Sequence, residues 1–323
     1  MAATAAGVAF ARNGPRGGHV VATRDLPAGT LVVHCASLAE GMESLDHCDR
    51  CKRWVCEAAL CTRCGSFALC ARCRAGSGSA AAQDRHSGAE CRAFNLLALH
   101  LEEQRELPPA VLSTAPPLLK LLIRVGLRLQ QHGATDVDFE WHYNSGHDGA
   151  AAEVWRSGSL LTHEGHRDAE GIAAVDTTAA WVWKIVQRAR GGKKQPAADG
   201  GGSGDGGDAK VVSQLATVLH QCNVNVHTIL DPSTQRSIGL GLYPSGAMIN
   251  HNCTPNSEYL PGANGEMRFV TTRRVACGEE ITVSYMDIVT SCTAERRAYL
   301  AAEYFFRCSC ARCEWPSARL SFC

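Results

Sequence analysis

The chain has 323 residues, a formal net charge of zero and 45% hydrophobic residues. This length suits one large domain or a few smaller units, and the neutral charge gives no electrostatic argument for binding nucleic acid or acidic lipid. No apolar run approaches the roughly 20 residues that span a bilayer. Residues 1–7 lack the basic start and long apolar stretch of a secretory signal. These features predict a soluble intracellular protein in the nucleus, the cytoplasm or both.

Cysteine is frequent, with 17 residues in the chain. Because most of them stand in or beside C-x-x-C and C-x-C clusters, and no secretory signal precedes them, the pattern favours zinc binding over disulfides. Thiols in a reducing compartment stay available as thiolate ligands. The remaining, scattered cysteines are predicted to be small buried side chains or free thiols.

The first predicted elements are β-strands. Residues 16–25 open with Arg16, Gly17 and Gly18 and run into a β-branched strand, and a turn leads to a second strand at 30–34. This order predicts a β-hairpin whose first turn allows close backbone approach, because glycine has no side chain. On their own, the paired glycines indicate only a turn.

Four closely spaced pairs of candidate metal ligands follow within residues 47–91. A C-x-x-C pair works because two thiolates of one tight turn can reach one metal ion at about 2.3 Å. Seven cysteines and one histidine are enough for two tetrahedral zinc sites. A segment so short and so poor in large apolar side chains needs metal to fold. The pairs are Cys48 and Cys51, Cys61 and Cys64, Cys70 and Cys73, and His86 and Cys91.

Residues 92–220 are predicted to be mainly helical. The second helix is amphipathic, and its basic side is interpreted as a solvent-exposed face. A Gly-rich stretch at 191–208 predicts a flexible loop. Helical periodicity is present in four segments, namely 94–101, 118–129, 179–190 and 211–219.

Two motifs in the last third of the chain concentrate polar chemistry. Residues 250–256 read Asn-His-Asn-Cys-Thr-Pro-Asn, which is too much polar side-chain chemistry for an ordinary turn. Residues 278–285 read Gly-Glu-Glu-Ile-Thr-Val-Ser-Tyr, a turn followed by a short strand that ends in a tyrosine. Two further strands are predicted before these motifs, at 225–230 and 237–244.

A last cysteine cluster follows the two motifs. Cys308, Cys310 and Cys313 supply three ligands, whereas a structural zinc ion takes four. The residues themselves leave the fourth ligand open.

Together these motifs resemble those of the SET and MYND domain-containing protein-lysine methyltransferases. The resemblance implies an α+β fold, with SET-domain β-sheets in a knot-like core, an inserted MYND zinc finger, a helical insert and a cysteine-rich post-SET tail. It divides the chain into a SET N-terminal part (1–46), the MYND finger (47–91), the helical insert (92–220), the SET C-terminal catalytic part (221–290) and the post-SET zinc segment (291–323).

The resemblance also implies how the zinc ligands are shared. Pairs interleave in MYND fingers, so the first and third pairs would hold one zinc ion and the second and fourth pairs the other. The last site would take its fourth ligand, Cys253, from the Asn-His motif. Because four thiolates leave no position for water, this zinc ion would be structural. The implied cofactors are therefore S-adenosyl-L-methionine and three structural zinc ions.

The catalytic residues implied by the resemblance are Tyr285 and Tyr304. The Tyr285 hydroxyl would lie beside the transferring methyl group, and Tyr304 would line the lysine channel. Glu280 would brace the knot-like crossing of the Asn-His segment and the motif that ends in Tyr285. The competing interpretation of Tyr285 is a strand-end tyrosine that only packs its ring, and that of the Asn-His motif is a polar turn that bonds its own backbone. The implied cofactor-binding residues are Arg16, Gly17, Gly18, Asn225, Asn250, His251, Tyr285 and Phe306.

The sequence therefore predicts an S-adenosylmethionine-dependent protein-lysine N-methyltransferase that acts on histone substrates, non-histone substrates or both, by in-line displacement. The alternative is a non-catalytic adaptor that binds peptide partners in transcriptional regulation. Three residues favour the adaptor, namely Gly18, His19 and His227. His19 stands where the family has its second glycine, and His227 stands where related enzymes often have an aromatic carbocycle near the lysine channel.

The predicted partners are a lysine-bearing protein or peptide and, at the MYND finger, a proline-containing peptide. Direct nucleic-acid binding is not expected, because zinc-bound thiolates offset most of the basic excess of the finger. The chain is expected to be a monomer and to have no membrane contact.

Overall fold

The computed structural model describes residues 7–14, 17–55, 59–75, 86–103, 107–132, 140–143, 153–156, 160–190 and 204–315. As predicted, the fold is α+β with several small sheets. The strands are β1 Val8–Gly14, β2 Gly17–Ala22, β3 Leu31–Cys35, β4 Ala39–Met42, β5 Ala59–Leu60, β6 Ala68–Leu69, β7 Glu140–Tyr143, β8 Glu153–Arg156, β9 Val226–Leu230, β10 Ser237–Leu242, β11 Asn250–His251, β12 Ser257–Pro261, β13 Met267–Thr271 and β14 Glu280–Val283. The helices are α1 Ala71–Ala75, α2 Gly88–Glu103, α3 Pro109–Leu112, α4 Pro116–His132, α5 Ala169–Ala189, α6 Gly204–Asn225, α7 Thr293–Tyr304 and α8 Ala311–Glu314.

One sheet brings the two polar motifs together. The strand orders are β1-β2-β14-β11, β4-β10-β9 and β12-β13-β3, and β5-β6 and β7-β8 form two small additional sheets. Most of the described strand pairs are antiparallel, but β11 and β14 run parallel, with Asn250 opposite Thr282. The Asn-His segment and the strand that leads to Tyr285 are therefore direct neighbours in one sheet.

The hairpin predicted over residues 16–34 is wrong. Strand β2 pairs with β1 and β14, whereas β3 pairs with β13 in another sheet. The connecting residues do not close a hairpin because Leu26 pairs with Val275, with two backbone N–H···O bonds of 2.9 Å. Pairing with distant segments of the chain thus replaces the local pairing that the pattern indicated.

The helical insert packs in an apolar core that it shares with the finger and with β4 and β10. Helices α2, α4, α5 and α6 contribute buried side chains such as Phe94, Leu122, Val182 and Leu215 to one cluster. The core explains why helical periodicity was visible in the sequence, since one face of each helix must be apolar to pack there. In the described part of the chain, none of the helices combines the length and apolar character needed to cross a membrane.

The loop predicted at 191–208 is too long at its C-terminal end. Helix α6 begins at Gly204, and residues 191–203 lie outside the described part of the chain. Glycine has a low helix propensity, but the start of α6 is held by α5, because the Gln187 amide donates to Asp208 at 2.8 Å. Tertiary contact therefore overrides the local composition at 204–208.

The basic side of α4 is not a solvent-exposed face, contrary to the prediction. Its cationic side chains hydrogen-bond to backbone carbonyls on and beside β4, which is an edge strand. Four residues of helix advance about 6 Å and two residues of strand about 6.7 Å, so the two repeats keep in register. The contacts also cover an exposed sheet edge. The donors and acceptors are Lys120 to Met42, Arg124 to Glu40 and Arg128 to Leu38.

Candidate active site and metal sites

The finger brings its eight predicted ligands into two groups. Strands β5 and β6 form a small hairpin, so Cys61 lies at its turn end and Cys70 at its open end. The second and third pairs therefore point to opposite ends of the hairpin and cannot share one ion. In each group all ligand atoms lie within 4.8 Å of one another, and the groups are Cys48, Cys51, Cys70 and Cys73, and Cys61, Cys64, His86 and Cys91. The first and third pairs thus come together, as do the second and fourth, which is the interleaved grouping that the resemblance implied.

The last cysteine cluster forms a third group with Cys253, as predicted. The Cys253 sulfur lies 3.8 Å from that of Cys308 and 3.5 Å from that of Cys313. A tetrahedral ion with metal–sulfur bonds of about 2.3 Å requires sulfur–sulfur distances of roughly 3.8 Å. All three groups could thus hold zinc. The third group also joins the C-terminal segment to the Asn-His motif.

His251 connects this third group to Tyr285. Its Nδ1 atom accepts a hydrogen bond from the Tyr285 backbone N–H at 3.0 Å. In a neutral imidazole the hydrogen must then be on Nε2, which lies 3.2 Å from the Cys253 sulfur and donates to it. Both ring nitrogens are used within the protein, so the imidazole positions Tyr285 and is not free to bond a ligand through nitrogen.

Two asparagines present amide oxygens to one cavity. Asn250 uses Nδ2 to donate to the Gly18 carbonyl at 3.1 Å and to Glu280 Oε1 at 2.8 Å. Asn225, the last residue of α6 rather than the start of a strand, donates from Nδ2 to the carbonyls of Leu161 at 2.9 Å and Gln221 at 2.8 Å. Because both amide groups have used their hydrogens, each side chain can meet a ligand only with its oxygen, which accepts from a donor such as an ammonium N–H.

This cavity has a volume of about 360 Å³ and contains most of the predicted cofactor residues in its wall. A second, narrower cavity of about 110 Å³ lies beside it and includes His227 and Tyr259 in its wall. The volume of the larger cavity falls in the range of small-molecule sites. The residues that line both cavities are Val224, Asn225, Ala247, Tyr285 and Tyr304.

Tyr285 and Tyr304 stand where the two cavities meet. Their ring centroids are 4.8 Å apart, and the Tyr285 hydroxyl donates to the Ile249 carbonyl at 2.9 Å. With its only hydrogen used, the Tyr285 oxygen can meet a ligand between the cavities only as an acceptor. Burial raises the pKa of Tyr304 to about 12, so this hydroxyl is neutral at physiological pH.

The remaining predicted residues differ in position. Gly18, Asn250, His251 and Phe306 line the larger cavity. Gly17 begins β2 with a φ of 80°, which favours glycine, and is not among the described lining residues. Arg16 lies outside the described part of the chain.

Sequence reasoning missed the contribution of the helical insert to the larger cavity. Leu160, Leu161 and His163 form part of its wall, together with Arg307 after α7. Burial, followed by the neighbouring His166 and Arg167 side chains, lowers the pKa of His163, so its imidazole is neutral at pH 7. No local pattern marks residues 160–163, because they reach the site only where they pack against α6, with the Asn225 amide donating to the Leu161 carbonyl.

The crossing of the two motifs is held by Asn256. Its Oδ1 atom accepts from the Thr282 backbone N–H at 2.8 Å, and its Nδ2 donates to the Glu280 carbonyl at 2.8 Å. Asn250 bonds the carboxylate of the same Glu280. The interpretation of Glu280 as a brace agrees with these bonds. Its carboxylate accepts from the Asn250 amide, which also donates to the Gly18 carbonyl in β2.

The comparisons with known proteins agree with this architecture. A model of the SET domain matches residues 17–286. The chain belongs to the SET domain family. This SET-domain chain is similar to "Histone-lysine N-methyltransferase SMYD3" of Mus musculus, with 40% identity over 91 residues, which is 28% of this chain and 20% of the relative.

Two further relatives have similar coverage. "N-lysine methyltransferase SMYD2-B" of Danio rerio is 35% identical over 104 residues, covering 32% of the chain and 23% of the relative. "Histone-lysine N-methyltransferase ASHR1" of Arabidopsis thaliana is 35% identical over 101 residues, covering 31% and 20%. The matched stretches thus span about a fifth of these relatives. With the three ligand groups, they support the predicted resemblance to SMYD-type SET and MYND proteins.

Proposed function

We propose that this SET-domain protein is an S-adenosylmethionine-dependent protein-lysine N-methyltransferase. The observation that carries the proposal is the pair of cavities that meet at Tyr285 and Tyr304. Methyl transfer needs a donor and an acceptor that enter from different sides and meet in line. The larger cavity suits a nucleotide-like donor, and the narrower one suits an unbranched lysine side chain.

The side chains of the larger cavity fit S-adenosylmethionine. The amide oxygens of Asn225 and Asn250 are suited to the α-ammonium group, and Arg307 in the wall is suited to the carboxylate. Phe306 offers a ring on which adenine can stack. S-adenosylmethionine supplies an electrophilic methyl group and a nearby positive charge.

The narrower cavity is suited to accept a lysine amine in its neutral form. Its wall includes three tyrosines, Tyr259, Tyr285 and Tyr304. Removing an ammonium group from water disfavours the charged form, so the lysine pKa falls from about 10.4. The tyrosine rings exclude water and align the amine. The Tyr285 oxygen can accept weak C–H···O hydrogen bonds from the methyl group.

Several predictions about the wider protein remain proposals. We propose zinc in all three ligand groups, each in a structural role, because no group leaves a position open. We also propose that the finger binds a proline-containing peptide. The protein is proposed to be a monomer that lies in the nucleus, the cytoplasm or both. Histone and non-histone proteins are both proposed as substrates.

Calorimetric titration of the zinc-loaded protein with S-adenosylmethionine tests the proposal. Binding should occur in the wild type, persist in Tyr285→Phe and weaken at least about tenfold in Asn250→Ala, which loses one hydrogen-bond acceptor. A peptide array with labelled donor then identifies the acceptor lysine, and Tyr285→Phe should lose transfer. Absence of donor binding by folded, zinc-loaded protein would refute the enzyme and return attention to the adaptor.

A further inference from the structure

The narrower cavity contains one polar ring among aromatic neighbours. His227 lines it, and its ring stands almost perpendicular to those of Tyr243, Tyr259 and Phe269, with interplanar angles of 84–85°. The corresponding centroid distances are 5.9, 6.3 and 6.1 Å. Edge-to-face contacts of this kind are favourable, so three neighbours together hold the orientation of the imidazole.

The backbone determines which nitrogen of His227 carries the hydrogen. Its Nδ1 atom lies 3.2 Å from the Asn225 carbonyl oxygen. A carbonyl can only accept, so Nδ1 donates, and the Nε2 atom of the neutral ring is an acceptor. Within the described residues, no hydrogen bond to Nε2 is present. The atom is also not fully buried. It therefore faces the cavity that the ring lines.

The imidazole stays neutral under physiological conditions. Burial lowers the pKa of His227 to about 4, and the bond to the Asn225 carbonyl offsets this effect only in part. The Nε2 lone pair is thus available at pH 7.

We propose that His227 is a specificity-determining residue that restricts the enzyme to two rounds of methyl transfer, because its Nε2 atom accepts a hydrogen bond from an N–H of the lysine amine. This inference rests on the proposed methyltransferase function. In each round the amine lone pair forms the N–C bond, the S–C bond breaks with its electron pair left on sulfur, and one N–H proton is released to water.

The number of N–H groups on the neutral amine decides which rounds His227 supports. An unmethylated amine has two and a monomethylated amine has one, so either can donate to Nε2 while its lone pair faces the methyl group. A dimethylated amine has none. In the third round a methyl group would have to lie against Nε2, which would be left without its partner in a cavity of only about 110 Å³.

The test uses synthetic peptides of one sequence, taken from the array, with the lysine unmodified, monomethylated, dimethylated or trimethylated. Initial rates are measured by mass spectrometry for the zinc-loaded wild type, His227→Phe and His227→Gln. The wild type should methylate the first two peptides and stop at dimethyl-lysine. His227→Phe should raise the rate on the dimethylated peptide, relative to the monomethylated one, roughly tenfold, as expected for loss of one hydrogen bond.

The two variants separate hydrogen bonding from size. Phenylalanine is larger than histidine, so a gain in trimethylation by His227→Phe cannot come from added space. Glutamine keeps an acceptor, so His227→Gln should keep the limit. Equal rates of the wild type on the monomethylated and dimethylated peptides, or an unchanged rate ratio in His227→Phe, would overturn the inference.

Peptide binding provides a measurement that does not need turnover. Without a methyl donor the dimethylated lysine can bind in its protonated form, which has one N–H, whereas the trimethylated lysine has none. By fluorescence polarisation the wild type should therefore bind the trimethylated peptide more weakly than the dimethylated one. His227→Phe should lose this difference. If no peptide is methylated although the donor binds, the proposed function fails, whereas equal binding of the two peptides by the wild type refutes the role of His227 alone.

Discussion

Replacing Asn256 with alanine should destabilise the crossing of the two motifs. The residue is only 1% exposed, and its amide satisfies the Thr282 N–H and the Glu280 carbonyl, at 2.8 Å each. An alanine leaves both backbone groups without a partner, at about 1–3 kcal/mol each. The amide also accepts from the Thr282 hydroxyl at 3.3 Å and donates to the partly exposed Glu279 carboxylate at 3.0 Å, and the latter bond adds little because water can replace it. We therefore expect the free energy of unfolding to fall by about 2–6 kcal/mol.

Urea denaturation of zinc-loaded protein, followed by circular dichroism, measures this loss. The matched control is Asn252→Ala in the same motif, where the side chain accepts one exposed bond from the Thr254 N–H at 2.8 Å. An exposed bond of this kind should contribute at most about 1 kcal/mol. Equal losses in the two variants would refute the reasoning, because the crossing would then not depend on the buried amide.

Two further perturbations can be checked with the same preparation. Replacing Cys308 with serine, or removing zinc with a chelator, should weaken S-adenosylmethionine binding by about tenfold or more in calorimetry. The reason is that Cys253 anchors the His251 imidazole, which bonds the Tyr285 backbone N–H. Unchanged affinity would contradict this coupling. The hydrogen bond from Arg273 is the main cause that lowers the pKa of Glu279 from 4.5 to about 2. The ionised Glu279 carboxylate therefore stabilises the fold fully above about pH 5, and this stabilisation is lost as the pH falls through about 2. The difference in urea midpoint between wild type and Glu279→Gln should therefore shrink between about pH 6 and pH 3, and a constant difference would exclude this carboxylate as the cause.

The metal groups were predictable because their information is local. A C-x-x-C spacing already places two sulfurs on one tight turn, so the sequence identifies the pairs. Which pairs share an ion follows from the β5–β6 hairpin, which separates Cys61 from Cys70. The family resemblance anticipated this sharing, and the spacing alone did not.

The errors concern segments whose partners lie far away in the chain. The pattern of residues 16–34 is that of a hairpin, but Leu26 pairs with Val275, about 250 residues later. The basic stripe of α4 has the periodicity of a solvent-exposed face. Its role as donor to the edge of β4 depends on carbonyls that no sequence pattern displays.

By itself the sequence determined the family, the ligand pairs, the helical insert and the two polar motifs, because each depends on residue type at a short, regular spacing. Only the tertiary structure decided that Asn225 and Asn250 present their oxygens, that His251 is used to position Tyr285, and that residues 160–163 line the larger cavity. These features depend on which hydrogen-bonding groups other segments have already satisfied. Such satisfaction is a property of the packed chain, and no local window of sequence contains it.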